Sequence, residues 1–292
     1  MLYDDKLTYK EFYLWASNEL SAAGIDESNI DARLLLEWCC GTNRNTLLAH
    51  GERGISEEEY NRYMGCIAKR KQHVPLQYIT GEQDFMGLTY VVNQNVLIPR
   101  QDTEVLAEEV MRHLHDGMRI LDMCTGSGCI LLSLLRYSND CTGVGVDISG
   151  EALSVAGQNT ERILGAHAIE QAKVILRQCN LFDGLDPEDK FDIIVSNPPY
   201  VKTNVIETLM PEVKEHEPLL ALDGGEDGLD FYHRIIEQAG RFLMGGGMLF
   251  FEIGYDQGEC VRRLMEEAGY IDIEVINDFA GLDRVVFGGK HV

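Results

Sequence analysis

The chain has 292 residues, 45% of them hydrophobic, with 48 acidic against 25 basic side chains and a formal net charge of −23. That length supports two domains and a substantial core, while that charge argues against long-range attraction to nucleic acid and favours a protein or small-molecule substrate. No apolar run is long enough to span a bilayer, and Met1-Leu2-Tyr3-Asp4-Asp5 lacks the basic flank and apolar core of an export signal, so a cytoplasmic protein without membrane contact is expected.

In chain order, the first seventy-odd residues read as short helices. Thr8-Tyr9-Lys10-Glu11 and Ser56-Glu57-Glu58-Glu59 match the capping box, in which a hydroxyl and a carboxylate satisfy each other's free backbone N–H groups. After the second box, Tyr60, Tyr63, Met64 and Ile67 share one helical face. Phe12, Trp15 and Ala16, then Leu34, Leu35 and Trp38, supply similar faces on helices ending near Gly24 and Gly41, which predicts a small bundle. Pro75 breaks the pattern. Strand-like runs follow over Phe85 to Val92 and Val96 to Ile98, separated by Asn93-Gln94-Asn95, and predict a β-hairpin linker.

From Asp102 onward helix and strand alternate. Arg119 to Met123, Gly143 to Asp147, Val174 to Cys179, Phe191 to Ser196 and Met248 to Ile253 read as strands with helices between most of them. Alternation of this kind predicts a parallel sheet covered on both faces, with ligands bound beyond the strands' C-terminal ends. Ile271 to Ile276 and Arg284 to Gly288 have no helix-length segment between them and are expected as an antiparallel pair at one edge. The eight cysteines include no C-x-x-C pair and fall mostly in apolar stretches, so reduced buried thiols are expected, with no metal site.

Three strand ends point to a nucleoside-type cofactor. Asp122-Met123-Cys124-Thr125-Gly126-Ser127-Gly128 closes the first strand of the alternating region, and its glycines let backbone approach a ligand. A dinucleotide fold prefers G-x-G-x-x-G, whereas the third glycine position here is Leu131, which weakens a nicotinamide assignment. Asp147, with Ile148 beside it, ends the second strand, where a carboxylate can accept both ribose hydroxyls. Asn180 and Leu181 follow the third and are placed to meet the adenine amino group and cover the ring.

A fourth strand ends in Asn197-Pro198-Pro199-Tyr200. An amide-type nitrogen has a delocalised lone pair, so its two hydrogens must be accepted before it attacks an electrophile. Asn197 offers a side-chain oxygen and Pro198 a backbone carbonyl, held in a turn that two prolines stiffen. Tyr200 is expected to wall the pocket with its ring.

The arrangement of strand ends resembles the class I S-adenosylmethionine-dependent methyltransferase domain. Further blocks narrow the resemblance: Pro75 to Gly81, Phe85 to Leu88, Val96 to Arg100 with Asp102-Thr103-Glu104, Glu217-Pro218 through Gly224-Gly225 to Leu229, and Phe251 to Gly254 with Gln257-Gly258. Together with Asn197 to Tyr200 these resemble the peptide-chain release factor glutamine methyltransferases (PrmC/HemK), essentially end to end. The resemblance implies a seven-stranded mixed sheet in a Rossmann-like α/β domain over residues 101–292. It also implies a helical substrate-docking domain over 1–78 and a hairpin linker over 79–100. The implied reaction is methylation of the glutamine amide in the Gly-Gly-Gln motif of release factors. S-adenosylmethionine would contact Asp122, Cys124, Thr125, Gly126, Ser127, Gly128, Asp147, Ile148, Asn180, Leu181 and Asn197. Asn197, Pro198 and Tyr200 would act on the substrate, which Pro199, Phe85 and Arg100 would also touch. Arg100 and Glu104 are alternatively expected to brace the hairpin through an ion pair, and Phe85 to pack. The chain is expected to be a monomer.

Where the family usually has glycine the chain has Cys124, and Gln101, Met123, Asn180 and Leu181 also depart from its pattern. An adenine-N6 nucleic-acid methyltransferase would share both the cofactor crevice and Asn197 to Tyr200, and a non-catalytic adenosine-binding module would share the first. Neither a basic groove nor a target-reading segment supports the nucleic-acid alternative.

Overall fold

The computed structural model describes residues 7–291. Met1 to Asp5, read above for export, lie outside the described residues, as does Val292 at the end of the third expected domain. The fold divides into two compact units, Met1–Gly81 with Met210–His216, and Glu82–Leu209 with Glu217–Val292.

The first unit holds α1 (Tyr9–Ala22), α2 (Ser28–Cys40), α3 (Arg44–Ala49), α4 (Glu57–Arg70) and α5 (Leu76–Thr80). Both capping boxes form: Glu11 N donates to Thr8 Oγ1 while Thr8 N donates back to Glu11 Oε2, and Ser56 with Glu59 repeats the exchange. Phe12 is central to the core, stacked on Tyr60 at 5.0 Å and edge-on to Tyr63 at 4.8 Å. Trp38 departs from expectation. The buried face of α2 is built from Ala32, Leu35, Leu36 and Cys39, and this spacing turns Trp38 toward solvent. Arg70, buried at the end of α4, donates to Asp31 Oδ2 at 2.7 Å and to Glu212 Oε1 at 2.9 Å.

The second unit opens with an antiparallel hairpin, β1 (Glu82–Phe85) and β2 (Leu88–Val91). Its turn is Met86-Gly87, not Asn93 to Asn95, and Val96 to Ile98 form no strand. Both turn residues have positive φ, as a two-residue hairpin requires. Methionine tolerates this because Glu104 Oε1 accepts its N–H at 2.5 Å and Tyr137 Oη donates to its carbonyl at 2.7 Å. Glu104 therefore does brace the hairpin, through backbone and without Arg100.

There follow α6 (Gln101–His113), β3 (Arg119–Met123), α7 (Cys129–Tyr137), β4 (Thr142–Asp147), α8 (Gly150–Leu164), β5 (Val174–Gln178), β6 (Phe191–Ser196), α9 (Thr203–Ile206), α10 (Pro211–Lys214, within the first unit), α11 (Asp230–Phe242), β7 (Leu243–Glu252), α12 (Gly258–Glu267), β8 (Ile271–Asn277) and β9 (Asp283–Gly289). The sheet runs β5-β4-β3-β6-β7-β9-β8, parallel through β7, with β9 and β8 antiparallel at the edge. Helices α6, α7 and α8 pack on one face and α11 and α12 on the other, which is why the inner strands are nearly continuous apolar runs. Strand β7 starts five residues before the expected Met248, because the backbone of Gly245 to Gly247 extends the strand across a register shift opposite Phe191 to Ile193.

The strand order reverses between β3 and β6, and a crevice opens there beyond the carboxyl ends. Among the described residues no helix is long and apolar enough to cross a membrane. All eight cysteines are free, and Cys260 is exposed, contrary to the expected burial.

Candidate active site

The crevice is a cavity of about 370 Å³, within the ~300–1,000 Å³ typical of small-ligand sites. One end is built by the loop from β3 to α7. Asp122 closes β3 fully buried, and its Oδ2 accepts from Thr125 Oγ1 at 2.6 Å, while Thr125 N reaches across to Val146 O at 2.9 Å. Burial, with the neighbouring charge of Asp147 adding to it, pushes the Asp122 carboxyl up to about 7. Asp122 does not line the cavity; it orients the loop that does. Gly128, at φ +79°, caps α7, and a Cβ there would meet Leu132 at 3.1 Å. Cys124, Thr125, Gly126 and Ser127 face the cavity.

Asp147 ends β4 with Oδ2 accepting from Gly126 N and Oδ1 from Ser149 N, both at 2.9 Å. A carboxylate has about four acceptor positions, so two remain for a vicinal diol. Ile148 lines the cavity beside it, as do Asn180 and Leu181 after β5. Asn180 Oδ1 already accepts from Arg234 Nη2 at 2.8 Å. Arg234 and Phe231, one turn apart at the start of α11, form a cationic and aromatic wall that the sequence analysis missed. Their helical spacing was the only available signal.

Cys124 and Leu181 both adopt left-handed backbone, at φ +62° and +53°. Such geometry in a side-chain-bearing residue costs roughly 1–2 kcal/mol and is retained where a site demands the turn. Cys124 thus keeps the conformation that glycine would take. Burial, then the charges of Asp147 and Asp122, push its thiol well above the ordinary range, so it faces the cavity neutral.

At the other end, β6 delivers Asn197 and Pro199 to the cavity wall. Asn197 Nδ2 donates to Thr103 Oγ1 at 3.3 Å. Pro198 is buried and its side chain does not line the cavity. Tyr200 is half-buried and also stands off the lining; its hydroxyl donates to Glu252 Oε1 at 3.2 Å and its carbonyl accepts from Gln257 Nε2 at 3.1 Å. Gly224 and Gly228 lie against this turn so closely that a Cβ would stand 2.7 Å from Tyr200 Cα and 2.5 Å from Tyr200 O respectively. Asp223 anchors the adjoining loop by accepting from Thr203 Oγ1 and Gly225 N.

Two expected substrate contacts are corrected. Phe85 is 1% exposed in the core beside Tyr90, so its ring shields nothing in the cavity. Arg100 binds the buried Glu217 carboxylate at 2.7 and 2.8 Å and is likewise absent from the lining.

Residues 11–81 match the PrmC N-terminal domain and residues 114–271 a methyltransferase domain. A release factor glutamine methyltransferase of Geobacter sulfurreducens is 39% identical over 281 residues, 96% of each chain. One of Caulobacter vibrioides is 39% identical over 98% of this chain and 97% of its own. The chain belongs to the release factor glutamine methyltransferase family. At the level of fold alone, the crystal structure of a methyltransferase from Pyrococcus furiosus superimposes with a TM-score of 0.52 at 17% identity, covering 81% of this chain and 100% of that one.

In this family member, three further residues support the cavity wall. Asn159 is fully buried on α8, pairs with both backbone groups of Val91 at 2.7 and 3.0 Å, and donates to Ser127 O at 2.9 Å, tying the β3–α7 loop to the hairpin. Thr103 lines the cavity beside Asn197, and Glu252 stands behind Tyr200. A side chain whose partners come from distant segments leaves no local pattern in sequence.

Proposed function

We propose that this enzyme transfers the methyl group of S-adenosylmethionine to the side-chain amide nitrogen of the glutamine in a Gly-Gly-Gln segment of a peptide-chain release factor, forming N5-methylglutamine. The observation that carries this assignment is that one cavity has Asp147 and the Gly126 loop at one end and Asn197 at the other. S-adenosylmethionine would supply a sulfonium-bound methyl whose carbon the amide nitrogen attacks in line, the C–S bond breaking as the N–C bond forms, so that S-adenosylhomocysteine leaves as a neutral thioether and the nitrogen gives its extra proton to water.

The residues present fit that cofactor. Asp147 keeps two acceptor positions for ribose hydroxyls, and Gly126, with nothing within 4 Å of a would-be Cβ, leaves room against its backbone. Val146, Ile148 and Leu181 supply an apolar berth for an adenine, with Asn180 at its polar edge. On the substrate side, Asn197 Oδ1 and the Pro198 carbonyl accept the two amide hydrogens and stabilise positive charge developing on nitrogen. No strong base is required, since that proton becomes acidic only as the new bond forms. Positioning and exclusion of water therefore carry most of the acceleration. Among the described residues the first unit contributes none to the cavity, and it is assigned the docking of the protein substrate. The charge of −23 supports an enzyme without direct nucleic-acid contact, taken as a cytoplasmic monomer.

The test is incubation with labelled S-adenosylmethionine and, separately, an intact release factor, the same factor with its motif glutamine replaced, and duplex or transfer nucleic acid. Label in the first alone supports the assignment. Label in nucleic acid overturns it for the adenine alternative, and label in nothing for a binding module.

A further inference from the structure

Asn197 presents either an acceptor or two donors to the cavity, depending on which way its amide is turned. Only the acceptor suits an amide NH2; a flipped side chain would set donor against donor. The neighbours of Asn197 decide between them. Its Nδ2 donates to Thr103 Oγ1, and Thr103 is 2% exposed in the first turn of α6. A hydroxyl can give one proton and receive others, so the direction of that bond depends on where the Thr103 proton goes.

Glu252, also 2% exposed, ends β7 beside the Thr103 hydroxyl. Its Oε1 accepts from Tyr200, and its Oε2 is buried and unpaired. Burial pushes this carboxyl up, while the Thr103 hydroxyl, the Arg284 charge and the Tyr200 hydroxyl oppose that push and favour the acceptor-only form. The buried, unpaired Oε2 is an acceptor open to the Thr103 proton. Thr103 is then left only lone pairs to offer Asn197, and the Asn197 amide must turn its nitrogen inward.

We propose that Thr103 is a positioning residue for methyl transfer: with Glu252 behind it, it holds the Asn197 amide with Nδ2 inward and Oδ1 toward the cavity, ready to accept the substrate's amide hydrogens. This rests on the amide-transfer function proposed above. Glu252 serves the acceptor side twice, through Thr103 to Asn197 and directly to Tyr200.

The experiment compares wild type with T103V, T103A and T103S on a Gly-Gly-Gln peptide, measuring kcat and KM, with S-adenosylmethionine affinity by calorimetry. T103V keeps the shape and loses the hydroxyl, T103A loses both, and T103S keeps the hydroxyl. Turnover by T103V and T103A is expected to fall on the order of 10- to 100-fold, chiefly in kcat, while cofactor affinity stays within about twofold. T103S should recover to within about threefold of wild type. Wild-type kcat in T103V, or a T103S as impaired as T103V, overturns the positioning role, as does loss of cofactor affinity in step with turnover. A wild-type enzyme inactive on both peptide and release factor overturns the function and this inference together.

Discussion

The two units differ in how completely they pair buried charge. In the first, Arg70 is matched by Asp31 and Glu212, and both capping boxes close. In the second, Asp122 Oδ1 and Glu252 Oε2 are buried without partners, and two cavity residues hold left-handed backbone. Overall charge differs too: the first unit carries 14 acidic and 10 basic side chains, whereas the second carries 34 and 15, so most of the net negative charge belongs to the second unit. The first unit, although His73 holds left-handed backbone and the Thr42 hydroxyl is buried unpaired, leaves no buried carboxylate oxygen unpaired among its described residues, whereas the second leaves two near the cavity.

That contrast can be broken at either side. The largest effect is expected from Arg70→Ala, which strands a buried carboxylate and should cost about 3–5 kcal/mol in denaturant unfolding of the first unit. Cofactor affinity should be untouched; a loss below 1 kcal/mol would mean that the pairing is not the unit's anchor. Asn197→Ala should do the converse, lowering kcat on the order of 10²–10³-fold with little change in stability or cofactor affinity. Retained turnover would remove Asn197 from the chemistry.

Asp122 sharpens the comparison through pH. Its carboxyl is raised from 3.8 to about 7 by burial, so between those values the unfolded chain releases a proton that the folded chain keeps, and stability falls as pH rises across that window. Below it both states are protonated, and above it the penalty is complete. Asp122→Asn should therefore melt higher than wild type at pH 8 and equally at pH 3.5; identical melting at both would mean that the buried carboxyl is not strained. The smallest effect is expected from Cys124→Gly, which relieves a left-handed side chain at the cost of a looser unfolded chain. It should raise stability by no more than about 1 kcal/mol, a few degrees in melting temperature. A drop would show that the thiol's contacts outweigh its backbone strain.

The same contrast governs what sequence could reveal. Inner strands such as Phe191 to Ser196 are legible because helices cover both faces and every position is apolar. The glycine loop, Asp147 and Asn197 are legible because their types are tied to chemistry at strand ends. The hairpin turn was misplaced because Met86 is held at positive φ by Glu104 and Tyr137, neither of them neighbours in sequence. The type of Phe85 fits either substrate contact or packing, and the residue proves to be core. Thr103, Asn159, Arg234 and Glu252 escaped because polar side chains acquire meaning only from partners that folding brings from elsewhere.

Segment Met210–His216 counts with the first unit although the chain on either side belongs to the second. The docking unit is therefore assembled from two separate stretches, and the matched N-terminal domain, residues 11–81, contains Arg70 without Glu212. Cutting the gene at that boundary would not yield an exchangeable cassette. One partner of its buried guanidinium would remain behind in the other half, so an exchange between relatives should carry both stretches together.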